Sequence, residues 1–419
     1  MGQTALNTGL NAAALRAMDD ADPLAPIRER FLVPDGVVYM NGNSLGPLCR
    51  DVRERMHTAV SEEWGHELIR GWNSAGWYDL ACRLGDKIGR LVGAQPGQVV
   101  VADSTSVNLF KAVAAALALR PERHKIVSEA GNFPTDLYML DGLTRFSKNK
   151  HAVDVRAREE VVNGIDEDTA VVVLTHVHYV TGEIFPMAEI SRRAHEFGAL
   201  IVWDLSHSVG AVSTELDTDG ADFAVGCGYK HLNGGPGAPA FIYAATRHHA
   251  AMRQPLSGWF GHANPFTFSD DFDPADGIRR MLCGTTPVLG ASALEASVDV
   301  MLEIDASAAQ AKGKQLSRVF QELVQEHCAG LGFELLSPHD PEGRGAHISY
   351  AHEQGYGIMQ NLIANGVIGD FRAPDGMRFG FSPLFMRFTD LLVAAQQMRD
   401  IVESQSYLNP EFQKQNSVT

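Results

Sequence analysis

Lys230 is the residue of this sequence best set to do chemistry, because of the turn that carries it. It lies in Gly226-Cys227-Gly228-Tyr229-Lys230-His231-Leu232-Asn233-Gly234-Gly235-Pro236-Gly237, a run of small residues with apolar stretches on either side. A lysine held in a desolvated pocket sheds its proton more readily than a solvated one and becomes a nucleophile towards an aldehyde. Asp204 stands 26 residues earlier, directly after the apolar run Ala199-Leu200-Ile201-Val202-Trp203. Buried there, its carboxylate needs a cationic or hydrogen-bonding partner such as a protonated ring nitrogen, or else it caps a helix. Thr105-Ser106 follow an apolar run at 98–102 and open a helix-period segment. Free N–H groups and hydroxyls at a helix start bind phosphate, although a simple cap by Ser104, Thr105 or Ser106 is the plainer reading. A phosphate cradle, an acid for a ring nitrogen and a lysine for an aldehyde are what pyridoxal phosphate requires, and the trio points to that cofactor.

Arg378, in Met377-Arg378-Phe379-Gly380-Phe381, is an isolated guanidinium among apolar residues. It suits either bidentate binding of a substrate α-carboxylate or an ordinary place on a strand edge. His176-Val177-His178 puts two imidazoles on one face of a strand, but no third ligand has suitable spacing, so no metal site is expected. The glycines at 234–237 fit neither a dinucleotide fingerprint nor a phosphate loop with its own lysine. Cys49, Cys82, Cys227, Cys283 and Cys328 are widely spaced with no C-x-x-C pair, which speaks for a reducing compartment rather than a disulfide framework.

These groups need a scaffold. Strand-length apolar runs alternate with helix-period segments, the pattern of a mainly parallel sheet covered by helices. Strands are expected at 98–102, 170–177 and 199–203, with another beginning at 125–128, helices at 108–119 and 188–197, and a loop at 131–136. Polar residues that follow such strands sit where open α/β sheets bind ligands. Towards the carboxyl terminus the texture changes to long amphipathic helices at 291–304 and 309–328 and short strands near 333–336 and 347–350. The expected division is a large cofactor-binding domain, 66–290, a small α+β domain, 291–419, and an amino-terminal segment, 1–65, packing with the small one.

The 419 residues are 45% hydrophobic and 21% charged, an ordinary globular composition. A formal charge of −16 argues against nucleic acid or an anionic membrane as partner, and the scattered Arg53, Arg55, Lys111, Arg192 and Arg193 read as solvated helix faces. The stretch 5–18 is interrupted by Asn7, Asn11 and Arg16 and is not expected to be a signal or transit peptide. Leu6 stands where a myristoylation signal after Gly2 has Ser or Thr, and no apolar run reaches the roughly 18 residues of a membrane span. A cytoplasmic enzyme is expected.

Longer stretches resemble kynureninases of the bacterial type, within the fold type I family of pyridoxal-phosphate enzymes. They are Gly42-Asn43-Ser44-Leu45-Gly46, Trp72-Asn73-Ser74-Ala75-Gly76-Trp77, Asn132-Phe133-Pro134-Thr135-Asp136-Leu137-Tyr138, Leu174-Thr175-His176-Val177, Trp203-Asp204-Leu205-Ser206-His207-Ser208, Tyr229-Lys230-His231-Leu232-Asn233-Gly234-Gly235, Ser257-Gly258-Trp259-Phe260-Gly261-His262 and Met377-Arg378-Phe379-Gly380-Phe381. In order, they span nearly the whole chain. His231 and Ser206 depart from the pattern, where Tyr and Ala are common, without touching an assigned role.

The resemblance implies an aspartate aminotransferase-like α/β fold, with a mainly parallel seven-stranded sheet, helices on both faces and a smaller α+β domain. It implies pyridoxal phosphate as cofactor and a homodimer with shared active sites. On this basis Lys230 carries the cofactor aldehyde, Asp204 pairs with the ring nitrogen, Phe133 stacks on the ring, and Asp136, Thr175 and His207 complete its polar surroundings. Thr105, Ser106 and Tyr229 hold the phosphate, joined by Trp259 and Thr285 of the partner subunit. Arg378 takes the substrate carboxylate, while Ser44, Trp72, Gly284 and Thr285 line the place of the substrate's aromatic ring. The implied reaction hydrolyses L-kynurenine to anthranilate and L-alanine, in tryptophan degradation and NAD biosynthesis. Tyr229 is then either a proton donor in the bond cleavage or a phosphate ligand alone. A cysteine desulfurase or aminotransferase would share the cofactor apparatus, but a desulfurase needs a nucleophilic cysteine on a mobile loop, and Cys328 reads as helical.

Overall fold

The structure, a computed structural model, describes residues 9–148 and 150–415. The myristoylation reading at Gly2 and Leu6, and the first residues of the stretch 5–18, lie outside the described residues. The chain divides into two compact units, one of Met1–Arg50, Val180–Ile184 and Ile304–Thr419, the other of Asp51–Tyr179 and Phe185–Glu303.

The larger unit is built on seven strands, β1 (Val99–Val101), β2 (Lys125–Glu129), β3 (Ala152–Arg156), β4 (Thr169–Thr175), β5 (Leu200–Asp204), β6 (Phe223–Gly226) and β7 (Phe241–Ala244). Their order is β1-β7-β6-β5-β4-β2-β3, and only β7 runs antiparallel to its neighbours. The expected mainly parallel seven-stranded sheet is thus the one that forms. Successive side chains of a strand point to opposite faces. Val172 and Leu174 of β4 therefore join one buried cluster, and Val171 and Val173 another.

Helices α1 (Leu80–Leu91), α4 (Met187–Glu196) and α5 (Val288–Leu302) cover the first face through Leu84, Ile88, Ile190, Leu294 and Val298. Helices α2 (Thr105–Ala118) and α3 (Pro134–Phe146) cover the second through Leu109, Val113, Leu140 and Leu143. Each such side chain, fully buried, contributes about 1.5–3 kcal/mol. Helix α2 begins three residues before the expected 108, since Ser104 takes the capping position. Half of the expected loop 131–136 is the first turn of α3, where Pro134 supplies a preset φ and no N–H that would need a partner. Strand β4 ends at Thr175, so His176 and His178 follow the strand instead of lying on it.

The reading of the scattered basic residues as solvated fails at Lys111. Its side chain is fully buried, with Nζ 2.7 Å from Asp103 Oδ2 and donating to Met281 O at 2.7 Å. Burial lowers its pKa, and the Asp103 charge opposes that shift.

The smaller unit carries an antiparallel sheet of β8 (Glu334–Leu335), β9 (His347–Ala351), β10 (Asp370–Arg372) and β11 (Gly376–Gly380), in the order β10-β11-β9-β8. Its helices are α6 (Ala306–His327), α7 (Gly355–Ala364) and α8 (Phe388–Glu403). Phe320 of α6 packs on Phe379 and Phe381 at ring separations of 5.2 and 5.7 Å. From the amino-terminal segment, Asp19 accepts hydrogen bonds from the first free N–H groups of α8, at Phe388 (2.6 Å) and Thr389 (3.2 Å). Where the sequence pattern sets boundaries at 65 and 290, the compact units change at 50 and 303. The later boundary moves because of α5, whose Ala291, Leu294 and Val298 sit in the core of the larger unit's sheet. Among the described residues no helix is long and apolar enough to cross a membrane.

Candidate active site

The carboxyl ends of β1, β4, β5 and β6, with the start of α3 beyond β2, surround one cavity of about 500 Å³ within the larger unit. Thr105, Ser106, Phe133, Asp136, Thr175, Asp204, His207, Tyr229, Lys230, Gly284 and Thr285 all line it. They converge there from six separate stretches of the sequence.

Lys230 is half-buried, with Nζ 2.9 Å from His207 Nε2 and 5.9 Å from the centre of the Phe133 ring. The glycines around it answer to packing more than to flexibility. A Cβ at Gly228 would lie 2.5 Å from Pro239 O, and one at Gly234 would lie 2.7 Å from Leu294 Cδ1. No side chain fits there, so the turn is pressed against its neighbours and its lysine is held at the cavity wall.

Two buried acids also line the cavity. Asp204 ends β5 in direct register with Thr175 of β4, and Ser206 N donates to its Oδ1 at 2.7 Å. Thr175 Oγ1 donates to Asn132 Oδ1 at 2.5 Å and reaches Asp136 Oδ2 at 3.4 Å. Burial raises the pKa of both acids; Asp136 is raised further by the Asp204 charge, while Ser206 and Lys230 pull Asp204 back. Such a pair favours a shared proton or a cationic ring nitrogen placed beside it.

At the other end of the cavity, Ser104 caps α2 by accepting from Val107 N at 3.4 Å, while the Thr105 and Ser106 hydroxyls are left to the cavity wall. Lys111 anchors this end, because its bonds to Asp103 and Met281 O join the α2 start to the segment running into Leu282 and Thr286. The buried Thr286 Oγ1, also in the wall, has no hydrogen-bond partner. Tyr229 has its pKa raised first by burial and then by the neighbouring Cys227. A helix amino terminus, an unpartnered hydroxyl, a paired-acid wall and a primary amine fit a phosphate, a ring nitrogen and an aldehyde, so the residues present suit pyridoxal phosphate.

Other expected residues lie elsewhere. Trp72 and Trp259 are not among the lining residues; they pack on Phe260 at ring separations of 5.8 and 4.6 Å, and Trp259 is 40% exposed. Thr285, assigned by resemblance to a partner subunit, lines the cavity of the chain that bears Lys230. Ser44 and Arg378 belong to the smaller unit. There Arg378 is not isolated as the sequence suggests: Nε and Nη2 donate to Asp370 at 2.9 and 2.5 Å, and Nη2 donates to Ser44 Oγ at 2.8 Å.

Sequence reasoning missed Asp370, Asn132, Thr286 and Tyr179, whose ring meets Phe133 edge-on at 5.3 Å. The available signal for Asp370 was Pro374-Asp375-Gly376, a turn that folds 370–372 back on 376–380. The two histidines beyond β4 have structural partners: His176 Nδ1 lies 2.9 Å from Ser208 Oγ with its pKa pushed down by burial to about 4, and His178 Nε2 donates to Gly131 O at 2.9 Å.

A family model described as the kynureninase C-terminal domain matches residues 309–398. Kynureninase from Pseudomonas fluorescens is 45% identical over 408 residues, covering 96% of this chain and 98% of that protein. Kynureninase from Burkholderia pseudomallei (strain K96243) shows the same identity and coverage. Among solved structures, the apo cysteine desulfurase from Thermococcus onnurineus NA1 aligns with a TM-score of 0.77 at 17% identity, covering 90% of this chain and 98% of that one. A C-DES variant with glycine covalently linked to its pyridoxal-phosphate cofactor aligns at 0.76 and 14% identity, over 88% of this chain and 98% of that one. Those two likenesses show the fold, that of fold type I enzymes, and no more. The sequence relatives match nearly end to end at a far higher identity, and by that measure the chain belongs to the kynureninase family.

Proposed function

We propose that Lys230, Asp204 and Tyr229 are the working groups of the family reaction, the pyridoxal-phosphate-dependent hydrolysis of L-kynurenine to anthranilate and L-alanine. The chain is a hydrolase of carbon–carbon bonds in ketonic substances, and its relatives do not favour a desulfurase or aminotransferase. One observation supports the residue roles above all: the Lys230 amine, 2.9 Å from His207, shares a cavity with the buried Asp136–Asp204 pair.

When bound, pyridoxal phosphate supplies a sink for the electron pair left at the substrate Cα. Lys230 would hold the cofactor aldehyde and, as a free amine, would take the Cα proton as general base. Asp204, its Oδ1 held by the Ser206 N–H, would keep a proton on the ring nitrogen. Phe133, braced by Tyr179, offers its ring for stacking. Thr105, Ser106 and the α2 amino terminus would hold the phosphate. Tyr229 keeps its proton because burial raises its pKa. It can therefore hydrogen-bond the phosphate and release a proton only as carbon–carbon cleavage builds charge beside it. Arg378 takes the α-carboxylate, and Ser44, Trp72, Gly284 and Thr285 receive the aromatic ring.

The test is anthranilate fluorescence on adding L-kynurenine to the cofactor-loaded protein, with alanine released in equal amount. Borohydride reduction and peptide mapping should then place the cofactor on Lys230. Turnover of cysteine without any anthranilate would refute the reading.

The same reading makes the protein a cytoplasmic homodimer of tryptophan degradation. Its support is the set of five free cysteines and the exposed Trp64, Leu68, Ile69, Phe266 and Phe268 of the larger unit. Since Trp259 does not line the cavity of its own chain, it is the residue that tests sharing. Lys230→Ala and Trp259→Arg chains, each inactive alone, should regain about a quarter of wild-type activity when unfolded and refolded together, because half the dimers are hybrids with one intact site. Hybrids seen by mass spectrometry without activity would mean that each chain completes its own site.

A further inference from the structure

In the smaller unit, Asp370 of β10 and Arg378 of β11 are direct cross-strand partners, which puts their side chains on one face of the sheet. Both are buried, at 0% and 2% exposure. Asp370 grips one edge of the guanidinium, with Arg378 Nε donating to Oδ1 at 2.9 Å and Nη2 to Oδ2 at 2.5 Å. Ser44 Oγ donates to Asp370 Oδ2 at 2.6 Å and accepts from Arg378 Nη2 at 2.8 Å. Arg372 Nη2 donates to the same Oδ2 at 2.8 Å, so one carboxylate serves two guanidiniums and the trio carries a net positive charge.

A two-point grip fixes the plane of a guanidinium as well as its position. An arginine otherwise loses rotamer freedom when it binds, a cost that prior ordering removes. We propose that Asp370 is a positioning residue for carboxylate recognition: by holding one edge of Arg378 it sets the plane in which the guanidinium meets the α-carboxylate of an amino-acid ligand. This rests on the assignment of the substrate carboxylate to Arg378. It also makes a prediction opposite to that of charge alone. Removing the Asp370 charge makes the cluster more positive, which by itself would tighten carboxylate binding, whereas loss of orientation weakens it.

The cofactor-loaded Asp370→Asn, Asp370→Glu and Arg378→Lys enzymes should be compared in kynurenine turnover and in calorimetric titration with L-alanine and L-alaninamide. In Asp370→Asn, KM for kynurenine and Kd for L-alanine should rise about 10- to 100-fold, kcat should change less than about threefold, and alaninamide binding should hold. Asp370→Glu keeps the charge but displaces the grip by a methylene, and should show the same selective loss. Tighter L-alanine binding in Asp370→Asn would overturn the proposal in favour of charge. Equal weakening of alanine and alaninamide in both Asp370 variants would overturn it in favour of a role in folding. If Arg378→Lys loses alanine affinity while neither Asp370 variant does, positioning fails and the Arg378 assignment survives. Intact alanine binding in Arg378→Lys removes the assignment itself.

Discussion

Replacing Lys230 with alanine will lower kcat for L-kynurenine on the order of 10⁴-fold, the upper range for loss of a positioned proton-transfer group, and will leave the fold intact. The separation of the two effects comes from where Lys230 sits. It is half-buried, and its Nζ contact is with His207 rather than with a carboxylate, so no buried ion pair is broken. The turn around it is held by backbone and apolar packing at Gly228 and Gly234, which the substitution does not touch. The unfolding free energy should therefore change little through packing, and fall only through the lost attraction between Lys230 and the two acids. A second consequence is electrostatic. The Lys230 charge pulls the pKa of both Asp136 and Asp204 down, so its loss lets burial push both acids further up. The variant should then hold pyridoxal phosphate more weakly, and borohydride should label no lysine. Turnover by anthranilate fluorescence, denaturant unfolding and peptide mapping check these three outcomes. Turnover within tenfold of wild type, with a label on another lysine, would move the nucleophile elsewhere.

The strands that carry the site were readable because their two faces are both buried. Thr169–Thr175 and Leu200–Asp204 have no exposed residue, so they appear in sequence as unbroken apolar runs with a polar residue at the end facing the ligand. Asp204 could be picked out for that reason and Lys230 by the glycines near it, whereas Thr175, inside the expected strand 170–177, was assigned only through the resemblance. What those glycines do was not readable, because their close neighbours, Pro239 and Leu294, come from other parts of the chain. The same holds for Lys111, whose burial depends on the Met281 carbonyl 170 residues away. Arg378 looked isolated because Asp370 becomes its neighbour only through hairpin register. Helix α5 shows the limit of periodicity itself. An apolar helix pattern tells that a helix will bury a face, and leaves open which sheet receives it.

Asp204→Asn will give the other large effect, and here activity and stability should move in opposite directions. Asparagine keeps the size of the side chain and can still accept the Ser206 N–H bond, but an amide cannot hold a proton on a ring nitrogen. The loss of that ion pair at the reacting centre should cost about 3–4 kcal/mol of transition-state stabilisation, or about 10²- to 10³-fold in kcat. Stability follows from the pKa. Burial raises Asp204 above its unfolded value, so its favourable contribution belongs to the protonated form, is present at low pH and is lost as pH rises through the folded pKa. At neutral pH the ionised side chain is thus a burden on the cofactor-free fold, and it adds to the burden on Asp136, whose pKa its charge raises. Asparagine removes both. The cofactor-free variant should melt at or above the wild-type temperature at pH 7, with the advantage shrinking as the pH is lowered through the range where the wild-type acid takes up its proton. Adding pyridoxal phosphate should reverse the ranking, because the ring nitrogen supplies the partner that the wild-type carboxylate lacks on its own. Calorimetric melting with and without cofactor at several pH values gives the comparison. A variant that is less stable than wild type without cofactor, or that retains near-normal kcat with it, would show that Asp204 is a structural acid and that the ring nitrogen has another partner.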